Sequence, residues 1–218
     1  FPAIAKDQDD LSKVKNQTRN MITMSVALVF PMMSLLAVTS PSLIPVVLTD
    51  KWLGAVPIVQ IFCIPAALNV VSNANMQTFN ALGRSDVFLR LETIKRSLTI
   101  LLVLVFSTID FYLMLISIAF MSVVDLILNG YFNNKLIKYS IKEQLTDIIP
   151  GLCLAVGFFV VLSSFNYFFD NPYFILGIQL LIAACFYSYL VCFSKIGSFV
   201  KVRFALQSFL IRYGRKKQ

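Results

Sequence analysis

The sequence predicts an all-α polytopic transmembrane bundle, and three observations carry that prediction. The composition is 58% hydrophobic against 14% charged over 218 residues, with a mean hydropathy of +0.78, whereas a soluble domain carries about 25% charged residues. The charges are excluded from long windows instead of being diluted along the chain. The basic residues, finally, fall almost entirely on one side of the crossings those windows imply.

The charge-free windows are 20–49, 52–83, 97–109, 111–124, 148–169 and 171–194, with Asp170 the single charge between the last two. A helix crosses a hydrocarbon core of about 30 Å with ~20 residues at 1.5 Å each. Most windows reach that length, and the two short ones extend into helices near 88–109 and 112–133, which predicts six spans. Continuous apolar runs, in place of ten-residue alternation, select helices over a closed barrel.

The chain opens on an amphipathic segment, 1–20, that carries Lys6, Lys13, Lys15 and Arg19 and is expected to follow an upstream membrane helix on the cytoplasmic side. Residues 21–134 then hold a four-helix part. The first of these helices has Pro31 inside and is followed by Pro41 and Pro45; the second has Pro57 at its start and Pro65 inside. Each proline removes a backbone donor, so each marks either a static kink or a hinge. A trailing helix pair, 135–194, reads as scaffold, with Pro150 expected in a first-turn position after Asp147. The tail, 195–218, alternates bases with Ile196, Phe199, Val200, Phe204, Leu210 and Ile211, the pattern of a basic amphipathic helix on an anionic membrane face.

The net charge of +8 is distributed as a membrane topology signal. Arg84, Arg90, Lys95 and Arg96, then Lys135, Lys138 and Lys142, then the bases of the tail share the side of the opening segment, and Lys51 is the lone base opposite. By the positive-inside rule both ends of this chain are expected in the cytoplasm, in a multi-pass membrane protein. A nucleic-acid reader would interleave aromatics with its bases on one folded surface, and no such pattern is present, so nucleic acid is not an expected partner.

Several chemistries are excluded. The sequence contains no histidine, which removes His-based acid/base catalysis and His-ligated metal. Cys63, Cys153, Cys185 and Cys192 lie in apolar windows without C-x-x-C spacing and read as packing residues. The loops opposite the basic side are short, and their carboxylates are Asp50, Asp110 and Asp170. No catalytic residue, cofactor or metal site is expected, and the chain does not read as an enzyme.

Two intramembrane features remain. Asn69, Asn73, Gln77 and Asn80, with Ser72 alongside, set amides on one stripe of the second span. They serve either interhelical hydrogen bonds, worth ~0.6 to 2 kcal/mol each, or a water-filled substrate path. Asp125 lies well inside the fourth span, and an unpaired carboxylate at mid-membrane costs ~2.5 to 3.5 kcal/mol. Taking the third and fourth helices as a hairpin turning at Asp110, Arg96 lies 110 − 96 = 14 residues before the turn and Asp125 lies 125 − 110 = 15 after it. Both are therefore ~21 to 22 Å from the turn. Arg96 is the expected ion-pair partner and Lys95 the runner-up, in a pair that either joins the helices or relays ions.

The loops add a resemblance. The run from Phe1-Pro2-Ala3-Ile4-Ala5 through Lys6-Asp7-Gln8-Asp9-Asp10, the Phe30-Pro31-Met32 helix and the Asp50-Lys51-Trp52 turn come first. Ala55-Val56-Pro57-Ile58-Val59-Gln60 and Ala81-Leu82-Gly83-Arg84-Ser85-Asp86 follow. Together these resemble the polysaccharide flippases of the MOP exporter superfamily, in their lipopolysaccharide and O-antigen (Wzx-type) branch. The likeness covers residues 1–96 and is only hydropathic from Ser97 onward. It implies a two-lobed transporter of which this chain forms most of the C-terminal lobe, moving a polyprenyl-pyrophosphate-linked oligosaccharide between leaflets. It also implies membrane lipids and other polysaccharide-assembly proteins as partners. A drug or metabolite exporter of the same superfamily, and a membrane-embedded glycan polymerase or acyltransferase, are the competing readings.

Overall fold

The computed structural model describes residues 10–169 and 171–193; most of the opening segment's first half and the basic tail from Lys195 lie outside the described residues. Among the described residues six helices follow one another: α1 (Leu11–Leu48), α2 (Val56–Ala81), α3 (Ser85–Ser107), α4 (Phe111–Ile137), α5 (Ile141–Phe168) and α6 (Pro172–Phe193). A short 3₁₀ turn, Asp50–Ala55, joins the first two. The described residues are an all-α bundle, as the hydropathy requires. Five of the helices are long and apolar enough to cross a membrane. The exception is α3, whose apolar turns are interrupted by Arg90, Glu92, Lys95 and Arg96.

Local chemistry sets the boundaries. Asp10 caps α1, accepting from the backbone N–H groups of Ser12 and Lys13, and its hydrogen bonds with Ser12 and Lys13 hold its carboxyl down at about 2. Asp110 caps α4 in the same way, accepting from Tyr112 N at 2.7 Å and Leu113 N at 3.0 Å, so the α3–α4 hairpin turns at Asp110, the position from which the depths of Arg96 and Asp125 are counted. Gly83, at φ +69°, makes the turn from α2 to α3, where a side chain would be strained.

Three expectations are corrected. Pro150 lies ten residues into α5, not in its first turn, because a Ser140–Glu143 capping box starts the helix at Ile141. Cys153 and Cys185 are exposed on the bundle instead of packed, and only Cys63 is buried; nothing is described of the Cys192 side chain. Pro41 and Pro45 lie inside the first helix instead of following it, and with Pro31 they leave α1 one continuous helix of 38 residues. At 1.5 Å per residue it is ~57 Å long, well beyond a ~30 Å hydrocarbon core, so one end projects from the bilayer.

That projecting helix is the centre of the bundle. Val14, Ile22, Val26 and Phe30 pack with Val71, Ala74 and Ala81 of α2 and with Ile148 and Ala155 of α5. The α1–α5 seam is tight because Gly151 lies against Val26, where a Cβ would overlap the valine side chain. At its basic end the seam is clasped by charge. Arg19 donates from Nε and Nη2 to the two oxygens of Asp147 at 2.8 and 2.9 Å, and Tyr139 donates to Asp147 at 2.7 Å. Lys15 donates to Glu143 and to the Lys138 carbonyl, both at 2.8 Å. Burial and the neighbouring Asp147 push the Tyr139 phenol well above its usual range, so it keeps the proton that it donates to Asp147.

Candidate functional site

A cavity of about 150 Å³ opens between α2, α3 and α4. Asn69 and Ser72 reach it from α2, Arg96 and Thr99 from α3, Ser122 and Asp125 from α4, and Pro65, Ile118 and Met121 complete its walls. At ~30 Å³ per water molecule the space equals about five waters. It is polar although it lies between helices whose other faces are apolar. Thr99 and Ser122 spend their hydroxyl protons on carbonyls of their own helices, those of Lys95 and Ala119. Ser72 does not: it is 3% exposed and its Oγ has no partner. A buried hydroxyl left unpaired costs ~1–3 kcal/mol unless something polar enters the space it faces.

Beside the cavity lies an ionic cluster. Lys95, 2% exposed, holds Glu92 at 2.8 Å, the Asn129 Oδ1 atom at 3.3 Å and Asp125 at 3.6 Å. Arg96 pairs through Nε with Glu92 at 3.1 Å, and its side chain is 72% exposed. The partner that the structure gives Asp125 is therefore Lys95, the runner-up, and not Arg96. The reason is rotation: consecutive helix positions differ by ~100°, and the buried line of α3 runs through Leu91 and Lys95. Arg96 meets Asp125 only across the cavity that both line.

The amide stripe divides. Asn69 and Ser72 line the cavity, Asn73 is exposed, and Gln77 and Asn80 are half-buried. Two exposed amides on an apolar helix, Asn69 and Asn73, require water or protein beyond the described helices, since lipid cannot satisfy them. An amide of α2 that joins three helices lies off the stripe. Asn75 donates to Gln144 Oε1 at 3.1 Å and accepts from Asn133 at 2.6 Å, fastening α2 to α5 and α4 with all three side chains buried. Thr18 and Thr78 share a hydrogen bond of 2.8 Å between α1 and α2. Glu92 and Asn129 were also unread, although Glu92 stands three and four residues before its two bases, the spacing of helical ion pairs.

A second cavity, of about 450 Å³ between α1, α2 and α5, differs in kind. Its wall is apolar, from Phe30, Met33, Ile64, Leu68, Leu152 and Phe159 among others. Its polar side chains are turned to backbone, Ser34 to the Ala155 carbonyl and Gln60 to that of Ala37. Among the described residues no group of acidic, cysteine or histidine side chains has the arrangement of a metal site.

Residues 1–57 match a protein family described as polysaccharide biosynthesis protein. The chain is similar to polysaccharide biosynthesis proteins. It is 30% identical over 100 residues to the lipopolysaccharide biosynthesis protein WzxC of Escherichia coli, covering 46% of this chain and 20% of that protein. It is 34% identical over 87 residues to the teichuronic acid biosynthesis protein TuaB of Bacillus subtilis, covering 40% of this chain and 18% of TuaB. A membrane protein in the cps region of Klebsiella pneumoniae is 28% identical over 109 residues, or 50% of this chain and 22% of its own length. The matched stretches thus span about a fifth of each relative. No solved structure matches the chain.

Proposed function

We propose that this chain is part of a bacterial inner-membrane transporter that carries a polyprenyl-pyrophosphate-linked oligosaccharide from the inner to the outer leaflet during surface polysaccharide assembly. The observation that supports this most directly is the cavity lined by Asn69, Ser72, Arg96 and Asp125, a space between membrane helices with hydrogen-bonding walls. A glycan crossing hydrocarbon must exchange its water for such groups, because each unpaired hydroxyl costs several kcal/mol in an apolar medium. The relatives' roles in making lipopolysaccharide and teichuronic acid favour a glycan cargo. Asn69 and Ser72 offer amide and hydroxyl, while Arg96 uses only its Nε on Glu92 and offers its Nη groups. The exposed amide of Asn73 extends the polar face of α2 beyond the cavity.

The test is complementation of a strain lacking its own flippase, with the full-length protein carrying Asn69→Leu or Arg96→Gln. Surface polysaccharide should fall by about tenfold for each lost hydrogen bond of roughly 1.4 kcal/mol in the translocation step. Protein abundance should stay at the parental level while lipid-linked oligosaccharide accumulates on the inner leaflet. Full complementation by both variants, or loss of protein in step with loss of glycan, would remove the cavity from the path.

A further inference from the structure

Lys95 is an unusual group to find enclosed in a membrane bundle, and its surroundings are more unusual still. Its ammonium has three N–H donors and faces three oxygens: Glu92 Oε1 on its own helix, Asp125 Oδ1 and Asn129 Oδ1 on α4. Asn129 is fully buried and turns its oxygen to the lysine, leaving its own Nδ2 without a partner. The amide has sacrificed its donor to give the cation a third acceptor. Arg96 lies outside this cage, on the far oxygen of Glu92. From α2 the neighbouring cavity receives Asn69 and Ser72, which are uncharged.

Without the ammonium these three oxygens would form a small acceptor-only cage bearing two carboxylates, the coordination set of a hard cation. We propose that Lys95 is a tethered resident cation, which holds the α3–α4 hairpin together in the place of a dissociable metal ion and makes that hairpin indifferent to sodium, potassium or calcium. The converse follows directly. Removing the ammonium while keeping the oxygens turns the cage into a site for an inorganic cation, and removing the charge of Asp125 as well abolishes the need for one. This inference concerns how the hairpin is held, and it stands whatever cargo the cavity carries.

The experiment measures the thermal midpoint of the purified full-length protein in detergent, in N-methylglucamine chloride against sodium chloride, with calcium added at constant ionic strength. The parent should melt at the same temperature in all of them. Lys95→Ala should fall by about 5 °C or more in N-methylglucamine and recover saturably with sodium or calcium. The double variant Lys95→Ala, Asp125→Asn should regain part of that loss with no response to either ion. If Lys95→Ala is too unstable to purify, recovery of expression by the double variant supports the proposal, and failure of both overturns it. A parent midpoint that rises saturably with sodium or calcium, a Lys95→Ala midpoint equal to the parent's in N-methylglucamine, or a lowered midpoint that neither ion restores would each overturn it.

Discussion

At the scale of single residues, two side chains one position apart behave in opposite ways. Arg96 and Lys95 share a depth in the bilayer, and depth was readable because helix rise is constant. Rotation about the helix axis was not, since a ~100° step separates a caged ammonium from an exposed guanidinium and depends on which face of α3 meets α4. Asn75 escaped for a related reason. It lies off the stripe of Asn69, Asn73 and Asn80, and a lone amide carries no periodic signal, yet it alone of the four is fully buried and bonded to two other helices. Gly151 is the third case. A Cβ there would overlap Val26 Cγ1 and come within 3.3 Å of the Val26 backbone, so Gly151→Ala should destabilise the bundle by about 1–3 kcal/mol as overpacking does. Val26→Ala in the same chain should restore most of the loss, read as the thermal midpoint of the purified protein. A Gly151→Ala midpoint equal to the parent's would mean that α5 can retreat from α1 without cost.

Among the elements, α5 shows how a start signal outranks a hydropathy window. The sequence Ser140-Ile141-Lys142-Glu143 is a capping box, whereas the charge-free stretch begins only at Ile148, so the first two turns of the helix are charged and lie beyond the apolar span. Those turns carry the clasp to α1. Glu143 is held below its usual value of 4.5 by the hydrogen bond from Lys15 and by the backbone of Ser140. A carboxyl with a depressed value stabilises the fold above 4.5 and loses that contribution as pH falls through the lowered value. Unfolding followed from about pH 6 to pH 3 should show stability dropping in the acid part of that range, and Glu143→Gln should flatten this portion of the curve. An unchanged acid limb in Glu143→Gln would detach the Lys15 pairing from stability. The prolines of α1 teach the converse lesson: residue type marks where a backbone bond is lost, but whether the helix stops depends on packing, and Pro31 is buried in the middle of an unbroken one.

For the whole molecule, the class and the number of helices followed from composition and charge-free windows, because lipid leaves the backbone few choices. The arrangement around α1 was not readable, since helices in a bilayer associate through packing and hydrogen bonds instead of hydropathy. Orientation is the prediction that belongs here. With native cysteines removed, an impermeant thiol reagent applied to intact cells with a permeabilised outer membrane should label a cysteine at Leu53 and leave those at Arg84 and Ser140 unlabelled until the inner membrane is opened. Labelling of Ser140 from outside would invert the topology. The same distribution of charge bears on how the protein is made. On leaving the ribosome, α3 presents Arg90, Glu92, Lys95 and Arg96 to the insertion machinery, while the two α4 partners of Lys95, Asp125 and Asn129, remain to be synthesised. At 5–20 residues per second the 27 residues of α4 take about 1–5 s to appear. For that interval Lys95 lacks its α4 acceptors, so α3 is expected to enter the bilayer together with α4, as two limbs of one hairpin.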